Sequence, residues 1–267
     1  ILPLIWSTEP TLKASVIEAI TNVLFSSPEQ GNNEIMIENL FSIIHNASVG
    51  VISAVEELIS NLSEKNIFPK TLIKDLWRIF SNNDANSSQV HAITILGMIA
   101  KGQPSLITQN LEIITHSAFS KDTSIKLALA SSYALLIYSN ALRKNSDQVY
   151  KHKMENNNIL FKKIISYISD KFDDSSSLWS PLFELSIKLI ISFSNRPLIL
   201  LTDISKELLN KIDFKIQDHE ACSSDIRQIG RILHAISHIA VSILFLLEGD
   251  FLIEIKRRSQ VVQRMSS

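Results

Sequence analysis

An all-α architecture of stacked helix pairs is what this sequence predicts, and three observations carry the prediction. Apolar residues recur at three- and four-residue spacing in window after window, and no window keeps the period-two alternation of a half-buried strand. Six Gly and seven Pro leave few turn residues for an all-β chain. Val49, Val90 and Ile125 hold similar places early in their helices, 41 and 35 residues apart.

The elements follow in order. After an apolar lead-in with Trp6 and Pro10, residues 11–26 read as a helix through Leu12, Val16, Ile17, Ile20, Val23 and Leu24. Thr8 or Thr11 could cap it, and Ser26-Ser27-Pro28 stops it. Residues 34–45 come next, with Ile37, Leu40 and Phe41, and then 48–62, with Val51, Val55, Leu58 and Leu62. Phe68-Pro69 opens a helix through Phe80, since proline in a first turn forfeits only an N–H that is free anyway.

The stretch from Asp84 to Ser139 organises the chain. In its first helix Val90, Ile93, Ile95, Leu96 and Ile99 form an apolar face, while Ala92, Gly97 and Ala100 admit a close neighbour. Gly102-Gln103-Pro104 turns the chain into a helix carrying Leu106, Ile107, Leu111, Ile113 and Ile114. Asp122-Thr123-Ser124 then caps a third, with Ile125, Leu127, Ala128, Ala130, Ala134 and Leu135 facing inward.

Residues 140–157, charged and rich in Asn, read as a loop or extended helix ends and as the place for disorder. Residues 159–172 resume the helical pattern, and Asp173-Asp174-Ser175-Ser176-Ser177 breaks it. Pro181 sits in the first turn of a helix reaching Phe193, Arg196-Pro197 ends that one, and 198–212 is shorter. Ser224 or Asp225 caps the longest helix, through Leu247, and Gly249-Asp250 permits a break before a basic helix over 251–265.

About twelve helices with a loose period near 40 residues carry the signature of HEAT or armadillo repeats. A lone helix pair leaves one apolar face bare, so neighbours stack and bury a continuous core. The expected fold is an all-α, HEAT-repeat (armadillo-like) α-solenoid of about six helix pairs over residues 1–267; an irregular helical bundle is the alternative. The first residue is Ile, which suggests a fragment of a longer protein.

Composition excludes several function classes. With 45% hydrophobic residues the 267-residue chain can bury a substantial core, and it is not a disordered polymer. A net charge of −1 makes any nucleic-acid contact a matter of local patches. One Cys rules out an internal disulfide framework and fits a reducing compartment. The longest apolar run, 239–247, falls short of the roughly 20 residues that span a bilayer and reads as a buried helix, so no membrane partner is expected.

No chemistry-bearing motif survives inspection, and no catalysis, cofactor or metal is expected. His219, Cys222, His234 and His238 superficially resemble a zinc set but lack a second Cys, and Ala235 stands where a metalloprotease helix carries Glu. Gly97 and Gly102 have phosphate-loop spacing, yet Gln103-Pro104 replaces the Lys-Ser/Thr and Gly97 lies within a helix. Asp173-Asp174 reads as a solvated turn. Phe41, Trp77, Tyr133 and Trp179 are expected in the core, and one left exposed on a groove would serve as anchor for a partner peptide. The basic clusters carry more. Lys256, Arg257, Arg258 and Arg264 on the last helix are the candidate DNA contacts, each able to neutralise a phosphate and release counterions. Arg143, Lys144, Lys151, Lys153, Lys162 and Lys163 form a second basic region.

Two segments resemble one family. Residues 76–114 carry Leu76-Trp77, then Ala92, Leu96, Gly97-Met98-Ile99-Ala100 and Gln103-Pro104 leading into Asn110-Leu111. Residues 231–258 carry Ser237-His238-Ile239-Ala240, Leu247-Glu248 and Lys256-Arg257-Arg258. Glu56-Glu57-Leu58 and Ser27-Pro28-Glu29 are weaker echoes, and residues 141–222 show no family pattern. Together these resemble condensin complex subunit 1, the HEAT-repeat regulatory subunit of eukaryotic condensin. The resemblance implies a non-catalytic scaffold that binds the kleisin subunit in its groove, touches an SMC ATPase subunit and contacts DNA or chromatin in mitotic chromosome condensation. It also implies residence in the nucleus and on chromosomes, and in the cytoplasm for part of the cell cycle. The alternatives are a HEAT adaptor or transport-receptor type with an acidic inner face, a metal enzyme using the His/Cys set, and a purely structural fragment.

Overall fold

The computed structural model describes residues 33–45, 47–82, 86–144, 153–211 and 223–265, and a few positions between 9 and 19. Among the described residues it has ten α-helices and no strand beyond a single bridge between Met154 and Ser194. The fold is all-α and of the helical-repeat type. The helices are α1 (Asn33–His45), α2 (Val49–Glu64), α3 (Lys70–Ser81), α4 (Asn86–Gly102), α5 (Ser105–Ala118) and α6 (Ile125–Lys144), then α7 (Ile159–Asp170), α8 (Trp179–Phe193), α9 (Pro197–Asn210) and α10 (Ser223–Met265). They fall into two compact units, Ile1–Lys153 and Met154–Ser267. The helix expected over 11–26 lies largely outside the described residues.

In the first unit helices two apart in sequence pack together. The middle helix α4 lies against both α2 and α6, α1 lies against α3, and α3 and α5 also pack on α4. This is how a repeat covers the face its own pair leaves bare. It explains why α4 is apolar nearly all round, with Ala92, Ile93, Ile95, Leu96, Met98, Ile99 and Ala100 all buried. Each buried Ile or Leu contributes roughly 1.5–3 kcal/mol relative to an exposed one.

Close approach comes from the small residues. A Cβ on Gly97 would fall 2.7 Å from Ala134 Cβ, so only glycine lets α4 seat on α6 at this separation. One on Gly102 would fall 2.6 Å from the Ser60 carbonyl oxygen and 2.8 Å from the Glu64 nitrogen. Polar clasps fix the same contact. The Ser63 hydroxyl donates to the Ile99 carbonyl at 2.7 Å, and Gln103 Nε2 donates to the Ser63 carbonyl and to Asn66 Oδ1, both at 2.6 Å. Asn66 itself sits at φ 55°, a left-handed turn that Asn tolerates.

Boundaries follow local chemistry. Ser124 Oγ accepts the Leu127 N–H at 3.3 Å, so the capping side chain of α6 is Ser124, while Asp122 is exposed. Helix α5 leaves helical geometry at Asn110, whose side chain donates to the Leu106 carbonyl at 2.9 Å.

The second unit is built on aromatics. Trp179 is fully buried, stacked on Phe183 with ring centroids 5.2 Å apart and met edge-on by Phe172, and its Nε1 donates to the Ile168 carbonyl at 3.1 Å. Asn158 caps α7 by accepting the Leu160 N–H. Asn156 ties the entry to α7 to the exit from α8, accepting from Ser194 Oγ at 2.7 Å and donating to the Arg196 carbonyl at 2.9 Å.

Two expectations about the last helix are corrected. It does not break at Gly249-Asp250 but runs unbroken for 43 residues, because a lone glycine costs a helix only about 1 kcal/mol and no proline is present. The run 239–247 is not a buried helix. Ile239 is buried, but Val241, Leu244, Phe245 and Leu247 are exposed, since α8 and α9 cover α10 through Ile232, Ala235 and Ile239.

Candidate partner-binding groove

In the first unit the C-terminal halves of α2 and α6 flank a groove of about 760 Å³, with Lys101 and Gly102 of α4 between them. Glu56, Glu57, Ser60, Asn61 and Glu64 line it from α2. Tyr133, Leu136, Ile137, Asn140, Ala141 and Arg143 line it from α6. Gly102 is therefore doubly placed: its missing Cβ draws α4 onto α2 and leaves the floor open.

One network joins the three helices. Lys101 Nζ lies 2.8 Å from Glu56 Oε1 and 3.6 Å from Glu57 Oε2, and the Tyr133 hydroxyl donates to Glu56 Oε2 at 3.4 Å. Burial works against the Lys101 charge, yet the Glu56 hydrogen bond and charge, with Glu57 behind them, hold its pKa above the ordinary lysine value. Burial, and then Glu56, push the Tyr133 phenol up as well, so it stays a neutral donor. Tyr133 is nevertheless 44% exposed. It is a large amphipathic ring, held by one hydrogen bond and open on one face.

The four aromatic residues expected in the core divide. Trp179 is fully buried, Phe41 and Trp77 are half-buried, and Tyr133 stands in the groove. Its sequence signal is a stripe: Lys126, Tyr133 and Asn140 lie seven residues apart and all are exposed. Two of the three glutamates of the groove are those of the Glu56-Glu57-Leu58 echo, and Gln103 of the first resemblance segment clamps the floor.

Lys256, Arg257, Arg258 and Arg264 all lie on α10. Arg258 is exposed, and the side chains of the other three fall outside the described residues. His219 and Cys222 also fall outside them, and no group of three metal-ligating side chains occurs among the described residues. His234 and His238 stack 6.2 Å apart, and His234 Nε2 lies 3.5 Å from Glu184 Oε1. Gly97 and Gly102 both belong to α4, which has no phosphate loop. Asp173 and Asp174 sit in a turn, accepting from Gln228 and from the Ser176 N–H. Two helical stretches, Ile125–Arg143 and Ile226–Gly249, are long and apolar enough to cross a bilayer by length and composition. The first is largely packed within its unit, and the second is tied to its own unit by buried Arg231.

No protein-family model matches the chain. It is similar to condensin complex subunit 1 of mouse, 24% identical over 225 residues, which is 79% of this chain and 16% of that protein. The frog Xenopus laevis subunit is 22% identical over 270 residues, covering 96% of this chain and 20% of the relative. That of the yeast Saccharomyces cerevisiae is 21% identical over 267 residues, 89% of this chain and 22% of the relative. The chain is related to condensin complex subunit 1. Its likeness to condensin complex subunit 1 is wider than the two segments in which it is legible, because a match over 96% of the chain must cross residues 141–222. The chain spans about a fifth of the length of the condensin subunits it matches.

Proposed function

We propose that this chain is a non-catalytic HEAT-repeat segment of a condensin subunit that binds an extended kleisin segment in the α2–α4–α6 groove, with Tyr133 as anchor. The reading rests first on the similarity to condensin complex subunit 1 over most of the chain. An extended peptide suits a groove between stacked helices, and a half-exposed aromatic beside apolar Leu136 and Ile137 is the residue type that dominates binding energy. Contact with an SMC ATPase subunit and with DNA belongs to the same proposal, the DNA contact through Lys256, Arg257, Arg258 and Arg264. So do a nuclear and chromosomal location and the continuity of residues 1–267 as one solenoid segment.

The test is binding of the chain to overlapping kleisin peptides, with duplex DNA titrated in parallel at two salt concentrations. One peptide should bind saturably, and Tyr133→Ala should weaken it about 30-fold, the loss expected of an anchor worth roughly 2 kcal/mol. DNA affinity should fall steeply with salt and fall again on joint replacement of Lys256, Arg257 and Arg258 by Ala. Peptide binding indifferent to Tyr133 would sink the groove assignment.

A second reading is favoured by one observation. Three glutamates line the groove, as in an adaptor whose acidic inner face takes a basic cargo peptide without DNA. Saturable binding of a Lys/Arg-rich peptide, with no salt-sensitive DNA affinity, would select it.

A further inference from the structure

Beyond the groove, in the second unit, we propose that Arg227 and Arg231 form a binding site for a phosphate monoester carried by a partner protein, a phosphoserine or phosphothreonine. The site is a depression of about 300 Å³ between the serine-rich turn before α8 and the start of α10, lined by Ser175, Ser176, Ser177 and Ser180 with the two arginines and Gly230.

Arg231 is preorganised. It is 7% exposed, its Nη1 donates to the Phe172 carbonyl, its Nη2 donates to the Ser176 carbonyl at 2.7 Å, and its guanidinium lies 5.1 Å from the Trp179 ring centre. A guanidinium has five N–H donors, so fixing it on two carbonyls leaves donors for a further acceptor. Arg227, one turn earlier on the same helix, is exposed and makes no ion pair among the described residues. Burial lowers the Arg231 pKa and the nearby Arg227 charge lowers it further, while Asp174 and Asp173 raise it. The two guanidiniums stand together among four serines at the depression.

The two carboxylates of the turn are committed to other donors. Asp173 Oδ1 accepts from Gln228 Nε2 at 2.7 Å, and Asp174 Oδ1 accepts the Ser176 N–H at 2.8 Å. A Cβ on Gly230 would meet nothing within 4 Å, so the approach between the arginines is open.

Charge and size choose the ligand class. A monoester carries about −1.5 to −2 at neutral pH and three acceptor oxygens, which suits two guanidiniums with serines beside them. Duplex DNA would bring a dense row of phosphates against Asp173 and Asp174, which a single monoester on a flexible peptide avoids.

The experiment is an NMR titration of the ¹⁵N-labelled 267-residue chain with the tripeptide Gly-phosphoserine-Gly. Gly-Ser-Gly, inorganic phosphate and a short duplex DNA are run in parallel. The phosphopeptide should shift the amides of Ser175, Ser176, Ser177 and Gly230 saturably, and Gly-Ser-Gly should not. Arg227→Glu should weaken binding at least ten-fold. So should Gly230→Leu, whose side chain enters open space and fills the depression, with thermal melts confirming that both variants fold. Absence of saturable shifts overturns the proposal. Phosphate and phosphopeptide binding unchanged in Arg227→Glu would mean an adventitious ion only, which also overturns it. So would duplex DNA moving the same amides more tightly than the phosphopeptide does.

Discussion

Two glycines show how much one missing Cβ decides. Gly97 faces Ala134 with no room, its Cβ position lying 2.9 Å from Ala134 Cα, and backbone cannot step aside. Gly97→Val should therefore destabilise the first unit by about 2 kcal/mol or more, read as a lower denaturant midpoint at unchanged m-value. Gly230 is the opposite case. It is helical with open space around it, so Gly230→Ala should stabilise by up to about 1 kcal/mol. If Gly97→Val did not destabilise, the seating of α4 on α6 would be wrong. At the same scale, burial holds His238 below its ordinary 6.5; Glu184 of α8 opposes this, while His234 and Lys188 add to it. Burial and then His45 lower His91 likewise. Between the depressed value and 6.5 the unfolded chain binds more protons than the folded one. Stability is thus full above 6.5 and declines as pH falls through that window. Thermal midpoints should fall from pH 7 to 5, above the main carboxylate range, and His238→Gln should flatten the slope.

At the scale of elements, α10 carries two separate predictions. Its backbone passes Gly249 without interruption, so Gly249→Ala should leave helix content by circular dichroism unchanged or slightly higher and raise stability by up to about 1 kcal/mol. A large spectral change would mean a hinge there. Arg231 fastens the helix to the turn between α7 and α8 through two carbonyls and the Trp179 ring. Lysine cannot reproduce a planar fork stacked on indole, so Arg231→Lys should cost the second unit about 2–4 kcal/mol despite keeping the charge. Amide exchange along residues 226–239 should accelerate first. Beyond Ile239 the helix presents exposed Leu244, at 55%, and Phe245, at 68%, to solvent, an amount of apolar surface that a covered helix would not show.

For the whole molecule, the division into two compact units has a consequence for how damage spreads. Gly97→Val should lower hydrogen-exchange protection in residues 33–144, and Arg231→Lys in residues 159–239, with little crossing between the two sets. Loss of protection throughout the chain from either change would show one cooperative core instead. The relation to condensin complex subunit 1 also acts at this scale. It concerns about a fifth of the length of those proteins.

The sequence by itself determined the helices and which of their residues are apolar. Periodicity is a local property, and it is written into α4 by Ile93, Leu96 and Ile99 and into α8 by Leu182, Leu189 and Phe193. The role of Gly97 was legible for the same reason, because a small residue inside an apolar stripe has few other uses. What only the tertiary structure decided was which apolar faces found partners. Nothing local distinguishes Ile239, buried, from Leu244, exposed; the reach of α8 and α9 along α10 does. The groove was likewise beyond reading. Glu56, Lys101 and Tyr133 come from three helices, and only the packing of α2 and α6 on either side of α4 brings a carboxylate, an ammonium and a phenol to one place. Side-chain period fixes the face of a helix, whereas the neighbour that covers that face is set by the distances between whole helices.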